Sequence, residues 1–127
     1  MDGFNIIHIE ENEQYGLVVS TSWTEEYIQY KDQADIKIYE NDNGKWIARP
    51  GTSCSNPGAA RLGILDGLYL YCGSIGENRP YVKITVGETE AGIYDVNDTT
   101  RVWYAVVDSF ELKTIGSYAN GEQVTFN

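Results

Sequence analysis

Apolar and polar residues alternate along most of this chain with a period of two, which places successive side chains on opposite faces of a β-strand. The 3.6-residue period of an amphipathic helix is nearly absent, and Thr24 to Asp35 could hold one helical turn or a short edge strand. The pattern therefore predicts strands separated by turns rich in Gly, Asn, Asp and Pro. The predicted strands are Phe4–Ile9, Leu17–Trp23, Ala34–Tyr39, Lys45–Ala48, Leu68–Cys72, Tyr81–Val86, Ile93–Val96, Arg101–Val107, Phe110–Ile115 and Gln123–Phe126.

Turn signals connect these strands at short intervals. Asn43-Gly44 predicts a type I′ hairpin, because Asn-Gly readily adopts the positive φ angles of that turn, and Asn120-Gly121 repeats the signal before the last strand. Many short strands with frequent turns predict an all-β fold, a two-sheet antiparallel sandwich of jelly-roll or immunoglobulin-like type. A closed β-barrel is the alternative. A chain of 127 residues has the size of one domain, so we expect a single sandwich domain over 1–127.

The charge of the chain limits its partners. Nineteen acidic residues against nine basic ones leave a formal net charge of −10. Such a field repels phosphate backbones and anionic lipids, so neither nucleic acid nor a membrane is expected as a partner. No segment is apolar enough for a membrane helix and no signal peptide is visible in the chain as given, so we expect a soluble protein of undetermined compartment.

Cys54 and Cys72 are either one disulfide or two buried thiols.

Residues with catalytic potential are few, so a non-enzymatic protein is expected. His8 is the single histidine, and its alternation with Ile7 and Ile9 predicts that it points outward from its strand. Glu88 and Glu90 could share one strand face, as the carboxylates of a glycosidase require, but a domain of this size leaves little room for a deep substrate cleft.

Calcium is the metal that this composition favours, because hard cations bind carboxylate, amide and carbonyl oxygens. The segment from Asp95 to Thr99 concentrates such groups, and Asp95 and Asp98 are its candidate calcium ligands.

Aromatic residues are the strongest functional signal. Ten tyrosines and three tryptophans against three phenylalanines mean that most rings carry a polar group, as rings at wet interfaces do. The alternation of Leu68–Cys72 predicts Tyr69 and Tyr71 on an outer face, and that of Tyr81–Val86 predicts Tyr81 outward. High strand propensity is an alternative reason for so many tyrosines.

Outward tyrosines form a flat platform on which the apolar face of a sugar can stack, while amides and carboxylates bind its hydroxyl groups. Tyr69, Tyr71, Tyr81, Trp46 and Asn97 are therefore the predicted ligand-binding residues.

Part of the chain resembles the calcium-dependent, galactose-binding bacterial lectins of jelly-roll fold. The similar features lie between Tyr39 and Phe110, and they are Tyr39 with Trp46, a Pro50-Gly51 loop, and Asn97-Asp98 ahead of Ser109-Phe110. The resemblance implies a sugar-binding sandwich. The chain departs from that family where further calcium ligands are needed, because it has Val102, Ala105 and Val106 there.

The sequence thus predicts a lectin-like module that binds carbohydrate without turnover. One alternative is an acidic inhibitor or immunity-type protein that docks on a basic protein by electrostatic steering. Another is a structural or virion surface domain that binds no small ligand. Exposed edge strands are compatible with a homodimer in each case.

Overall fold

The computed structural model of the protein describes residues 3–26, 33–54, 60–76 and 80–126. These ranges contain no helix, and therefore none that could cross a membrane. They form twelve strands: β1 (Gly3–Glu11), β2 (Tyr15–Trp23), β3 (Asp35–Asp42), β4 (Lys45–Ser53), β5 (Ala60–Leu65), β6 (Leu68–Ile75), β7 (Tyr81–Val86), β8 (Thr89–Glu90), β9 (Gly92–Asp95), β10 (Arg101–Val107), β11 (Thr114–Tyr118) and β12 (Gln123–Phe126).

The strands form three antiparallel sheets of four strands each. The first sheet has the order β1-β2-β3-β4, the central sheet β5-β6-β10-β9, and the third sheet β12-β11-β7-β8. The all-β, antiparallel part of the prediction is confirmed. The structure has three sheets where the prediction had two, and none of the three closes into a barrel.

The central sheet is buried on both faces. Leu70 and Val102 pack with Leu17 and Ile36 of the first sheet in one core. The second core lies on the other face and is formed with residues of the third sheet. β6 and β10 supply both cores because nearly every residue in them is apolar or aromatic, as in strands that are covered on both sides.

Two predicted turns are present, with different geometry. Asn43 and Gly44 have φ angles of 54° and 88°, which confirms the two-residue hairpin between β3 and β4. Between β11 and β12 only Gly121 has positive φ, and its amide donates to the carbonyl of Tyr118 at 3.0 Å. This connection is therefore a hairpin loop of more than two residues, in which Gly121 has the left-handed conformation.

The predicted strand Phe110–Ile115 is present only in part, because β11 begins at Thr114 and continues to Tyr118. The hydroxyl of Tyr71 donates to the carbonyl of Ser109 at 3.0 Å and accepts from the amide of Leu112 at 3.1 Å. A buried side chain therefore satisfies backbone groups that a strand would pair with a neighbour. The structure also adds β5 and β8, which the alternation did not reveal.

Cys54 and Cys72 form a disulfide, with Cα atoms 5.5 Å apart and both residues fully buried. Cys54 follows β4 of the first sheet and Cys72 lies in β6 of the central sheet, so the bond joins two layers. The alternative of two free thiols is thereby excluded. Whether Thr24–Asp35 contains a helical turn or a short edge strand stays a prediction, because residues 27–32 lie outside the described residues.

Replacing both cysteines by alanine should lower the free energy of unfolding by about 3 kcal/mol, because the bond restricts the unfolded chain over a sequence separation of 18 residues. Urea unfolding followed by far-UV circular dichroism measures the change. The unmodified protein in a reducing agent is the control and should lose a similar amount. Equal stability of the variant and the oxidised protein would contradict the prediction.

The substitution Tyr71→Phe should cost about 1–3 kcal/mol, because it removes two hydrogen bonds to backbone groups of the half-buried residues Ser109 and Leu112, each worth roughly 0.5–1.5 kcal/mol. Tyr69→Phe on the same strand is the matched control, since the Tyr69 hydroxyl has no hydrogen-bond partner among the described residues. The control should change stability by less than about 0.5 kcal/mol. Equal losses in the two variants would show that the Tyr71 hydroxyl has no such role.

Candidate functional site

The predicted platform of outward tyrosines is wrong. Tyr71 is fully buried and Tyr81 is 3% exposed, and both belong to the core between the central and third sheets. Tyr69 packs against the same core, with its ring 5.5 Å from that of Phe110. The alternation along β6 is as predicted, but a third sheet covers the face on which these rings lie.

A β-bulge explains the reversal at Tyr81. Lys83 pairs with Ser117 and Tyr81 pairs with Tyr118, so Val82 is an extra residue in β7. The extra residue places Tyr81 on the same side as Ile84 and leaves Val82 60% exposed. Simple alternation predicted the opposite for both residues.

The remaining predicted ligand-binding residues, Trp46 and Asn97, lie at different places. Trp46 is on β4, on the face of the first sheet that points away from the central sheet, and is 44% exposed. Asn97 lies in the connection between β9 and β10, at the opposite face of the first sheet. The structure does not bring the five predicted residues into one site.

Asn97 instead lines a cleft of about 630 Å³ between the first sheet and the β9–β10 connection. Asn5, Thr21 and Trp23 form the wall from the first sheet, and they alternate in phase with the core residues of β2. Asn97, Asp98 and Thr99 form much of the facing wall. The complete lining described is Phe4, Asn5, Thr21, Trp23, Val96, Asn97, Asp98 and Thr99.

Trp23 needs a glycine opposite it in the sheet. Gly3 and Trp23 are register partners, and a Cβ at residue 3 would collide with the indole ring. The indole therefore lies flat across the backbone of β1 at the end of the cleft. The sequence predicted Trp23 in a strand but not its position at the cleft, because the pairing that brings Gly3 opposite it is not visible along the chain.

The β9–β10 connection is held in shape by Asn97. Its side-chain oxygen accepts hydrogen bonds from the amides of Thr99 and Thr100 at 2.9 and 3.0 Å and from the Thr99 hydroxyl at 3.1 Å. The amide of Val96 also donates to the carbonyl of Thr100 at 2.9 Å. Asn97 thus shapes the wall on which the exposed side chain of Asp98 is presented.

The structure gives no independent support to the predicted calcium ligands. Asp95 ends β9 opposite Arg101, and Asp98 lies in the connection that follows. Within the described ranges no three His, Cys, Asp or Glu residues come close enough together to hold a metal ion. The oxygen of Asn97 is used by its own loop, so calcium binding by Asp95 and Asp98 stays a prediction.

A second polar group lies between the first and central sheets. The Glu10 carboxylate accepts from the hydroxyl of Tyr104 at 2.7 Å and from that of Tyr15 at 3.4 Å. His8 stacks on Tyr94 with ring centres 4.1 Å apart. These contacts place His8 at the sheet interface, so the prediction that it points outward is wrong.

A bulge again causes the difference at His8. Ile6 pairs with Ser20 and His8 pairs with Val19, so Ile7 is an extra residue that moves His8 to the inner face. His8 and Glu10 thereby become part of the packing between two sheets. Their described partners are tyrosines, and they lie apart from the lining of the cleft.

The two tyrosines that bond Glu10 have perturbed acidity. Burial raises the pKa of Tyr104 above its ordinary range, and the hydrogen bond and negative charge of Glu10 raise it further. Burial and the charge of Glu10 also raise the pKa of Tyr15. Both hydroxyls are therefore held in the protonated, donating form that the Glu10 carboxylate needs.

Comparison of the chain with protein families, with curated proteins and with solved structures finds no significant match.

The free energy of unfolding should fall as the pH rises above about 10. Above that pH an unfolded tyrosine loses its proton, whereas Tyr104 and Tyr15 keep theirs in the folded protein, so the unfolded state binds fewer protons. The slope approaches about 1.4 kcal/mol per pH unit for each tyrosine that is ionised only when unfolded. Urea unfolding at several pH values measures it.

Tyr104→Phe is the matched variant and should show a shallower fall than the unmodified protein. The same slope in both proteins would contradict a protonated Tyr104 bonded to Glu10.

Proposed function

We propose that the protein is a non-enzymatic carbohydrate-binding module and that its site is the cleft between Trp23 and the β9–β10 connection. One observation carries the proposal: an aromatic ring, amides, hydroxyls and a carboxylate line a single cleft of about 630 Å³. This volume is in the range of small-ligand sites. The proposal keeps the lectin-like function predicted from the sequence and replaces the tyrosine platform with a different set of residues.

The chemistry of the cleft fits a sugar ring. The indole of Trp23 offers an apolar surface against which the C–H face of a pyranose can stack. Asn5 offers an amide that both donates and accepts, and Asp98 offers a carboxylate that accepts two hydroxyl protons. The hydroxyls of Thr21 and Thr99 add further polar groups to the lining.

Binding without turnover is supported by the acidic groups present. Asp98 is the one acidic residue among the described residues that line the cleft, and His8 and Glu10 lie elsewhere. Hydrolysis of a glycosidic bond commonly uses two carboxyl groups across the bond, one as an acid and one as a base or nucleophile. A single carboxylate is suited to bind hydroxyls and supplies no such pair.

The test is a glycan array with the intact protein, followed by titration of the best glycan. Trp23→Ala should weaken binding about tenfold or more, because it removes the stacking surface. Asn5→Ala and Asp98→Ala should each weaken it several-fold. Trp46→Ala is the matched aromatic control and should bind as the unmodified protein does, since Trp46 lies on the other face of the first sheet.

Two further conditions test the alternatives. A chelator should leave glycan binding unchanged unless Asp95 and Asp98 hold calcium. Sugar binding should persist at about 0.5 M salt, whereas docking on a basic protein should weaken steeply as charges are screened. Absence of binding to any glycan, or a glycan that binds equally well after Trp23→Ala, would contradict the proposal.

A further inference from the structure

The outer face of the first sheet, which points away from the central sheet, carries an unusual share of exposed apolar surface. Four of the six large apolar side chains that are exposed in the described part of the chain lie there: Phe4, Ile6, Ile9 and Trp46. Val18 and Tyr39 lie on the same face and are half-buried. Scattered apolar residues are common on surfaces, whereas apolar residues that are neighbours on one sheet face are typical of interaction sites.

A hollow of about 240 Å³ lies within this patch. Glu11, Gly16 and Tyr39 are register partners across β1, β2 and β3, so they form one row on the outer face. Gly16 has no side chain and leaves a gap in the row. The Trp46 ring leans over this gap, with Cζ3 3.5 Å from where a Cβ of residue 16 would be.

The walls of the hollow combine aromatic rings with negative charge. Tyr39 and Trp46 supply the rings, Ile9 and Val18 supply aliphatic surface, and Glu11 supplies a carboxylate. Glu10 turns its carboxylate to the opposite face, where it bonds Tyr104.

No basic side chain lies among the described residues that line the hollow. Lys37 is on the same sheet face, but its ammonium lies 5.5 Å from the centre of the Phe4 ring. Phe4 is outside the lining as well. The charge of Glu11 is therefore not neutralised by a cation within the hollow, and the net charge of −10 strengthens the negative potential.

We propose that this hollow binds the quaternary ammonium head of a small molecule such as choline. The faces of Tyr39 and Trp46 attract a cation through their quadrupoles, and recognition of methylated ammonium by aromatic residues is a known use of that attraction. Methyl groups fit the aliphatic walls, and the diffuse positive charge faces Glu11. A sugar suits the hollow less well, because its hydroxyls would lie against Ile9 and Val18.

The site is distinct from the proposed sugar cleft. The cleft opens on the inner face of the first sheet, at Trp23, and the hollow opens on the outer face, at Trp46. The ligand proposed for the hollow depends on no property of the cleft. Each proposal can therefore be tested without the other.

The experiment is a titration of the intact protein with choline and with 3,3-dimethyl-1-butanol, its uncharged isostere, followed by the indole N–H resonances in NMR spectra. Choline should shift the Trp46 resonance and bind about tenfold more tightly than the isostere, because only choline carries the charge that the rings and Glu11 attract. The Trp23 resonance should stay unchanged.

Three variants test the assignment of the walls. Glu11→Gln should weaken choline several-fold and leave the isostere unaffected, with Glu88→Gln as the charge-matched control. Trp46→Leu should weaken choline about tenfold or more. Gly16→Ala should weaken choline binding by narrowing the hollow, and its added Cβ would have its nearest neighbour, Cζ3 of Trp46, at an ordinary 3.5 Å.

Equal affinity for choline and the isostere would overturn the proposal, because the site would then recognise only apolar shape. Binding only to a peptide that carries a methylated lysine, and not to choline, would overturn it in favour of a protein partner. If Glu11→Gln and Glu88→Gln weaken choline binding equally, the proposal is overturned. Choline would then be attracted by the overall negative charge of the protein and not by the hollow. Thermal unfolding of each variant confirms that the fold is retained.

Discussion

The structure depends on the need to cover the central sheet on both faces. β6 and β10 place Leu70 and Val102 towards the first sheet and Tyr71 and Trp103 towards the third, and all four side chains are almost completely buried. Neither face could remain in water without exposing large apolar area. One covering sheet would satisfy only half of this requirement, so the chain forms three layers. The disulfide between Cys54 and Cys72 links two of the layers covalently.

Among the described residues, each outer sheet has one face that no other sheet covers, and the candidate sites lie on the two faces of the first sheet. The cleft at Trp23 forms where the inner face of that sheet extends beyond the core and meets the β9–β10 connection. The hollow at Trp46 forms on its outer face, where Gly16 leaves a gap between larger neighbours. The acidic and tyrosine cluster around Glu10 lies between the sheets and serves their packing.

Two β-bulges decide on which face of their sheets His8 and Tyr81 lie. The extra residue Ile7 moves His8 into the sheet interface, and the extra residue Val82 moves Tyr81 into the second core. Each bulge reverses the side to which the preceding part of its strand points. Alternation alone predicted the bounds of β7 and β10 correctly. It placed the side chains of His8 and Tyr81 on the wrong face of their strands, because it does not reveal a bulge. β5 was missed although Asp66-Gly67 marks the turn after it, where Gly67 has a φ angle of 78°.

The sequence by itself determined the all-β class, most of the strands, and the hairpin at Asn43-Gly44, because period-two alternation and turn chemistry are local properties of the chain. It also determined the net charge of −10. Only the tertiary structure decided that Tyr71 and Tyr81 are enclosed and that Trp23 and Trp46 line separate candidate sites on opposite faces of one sheet. Those outcomes depend on how many layers stack and on which residues pair across strands, and both are set by contacts between parts of the chain distant in sequence.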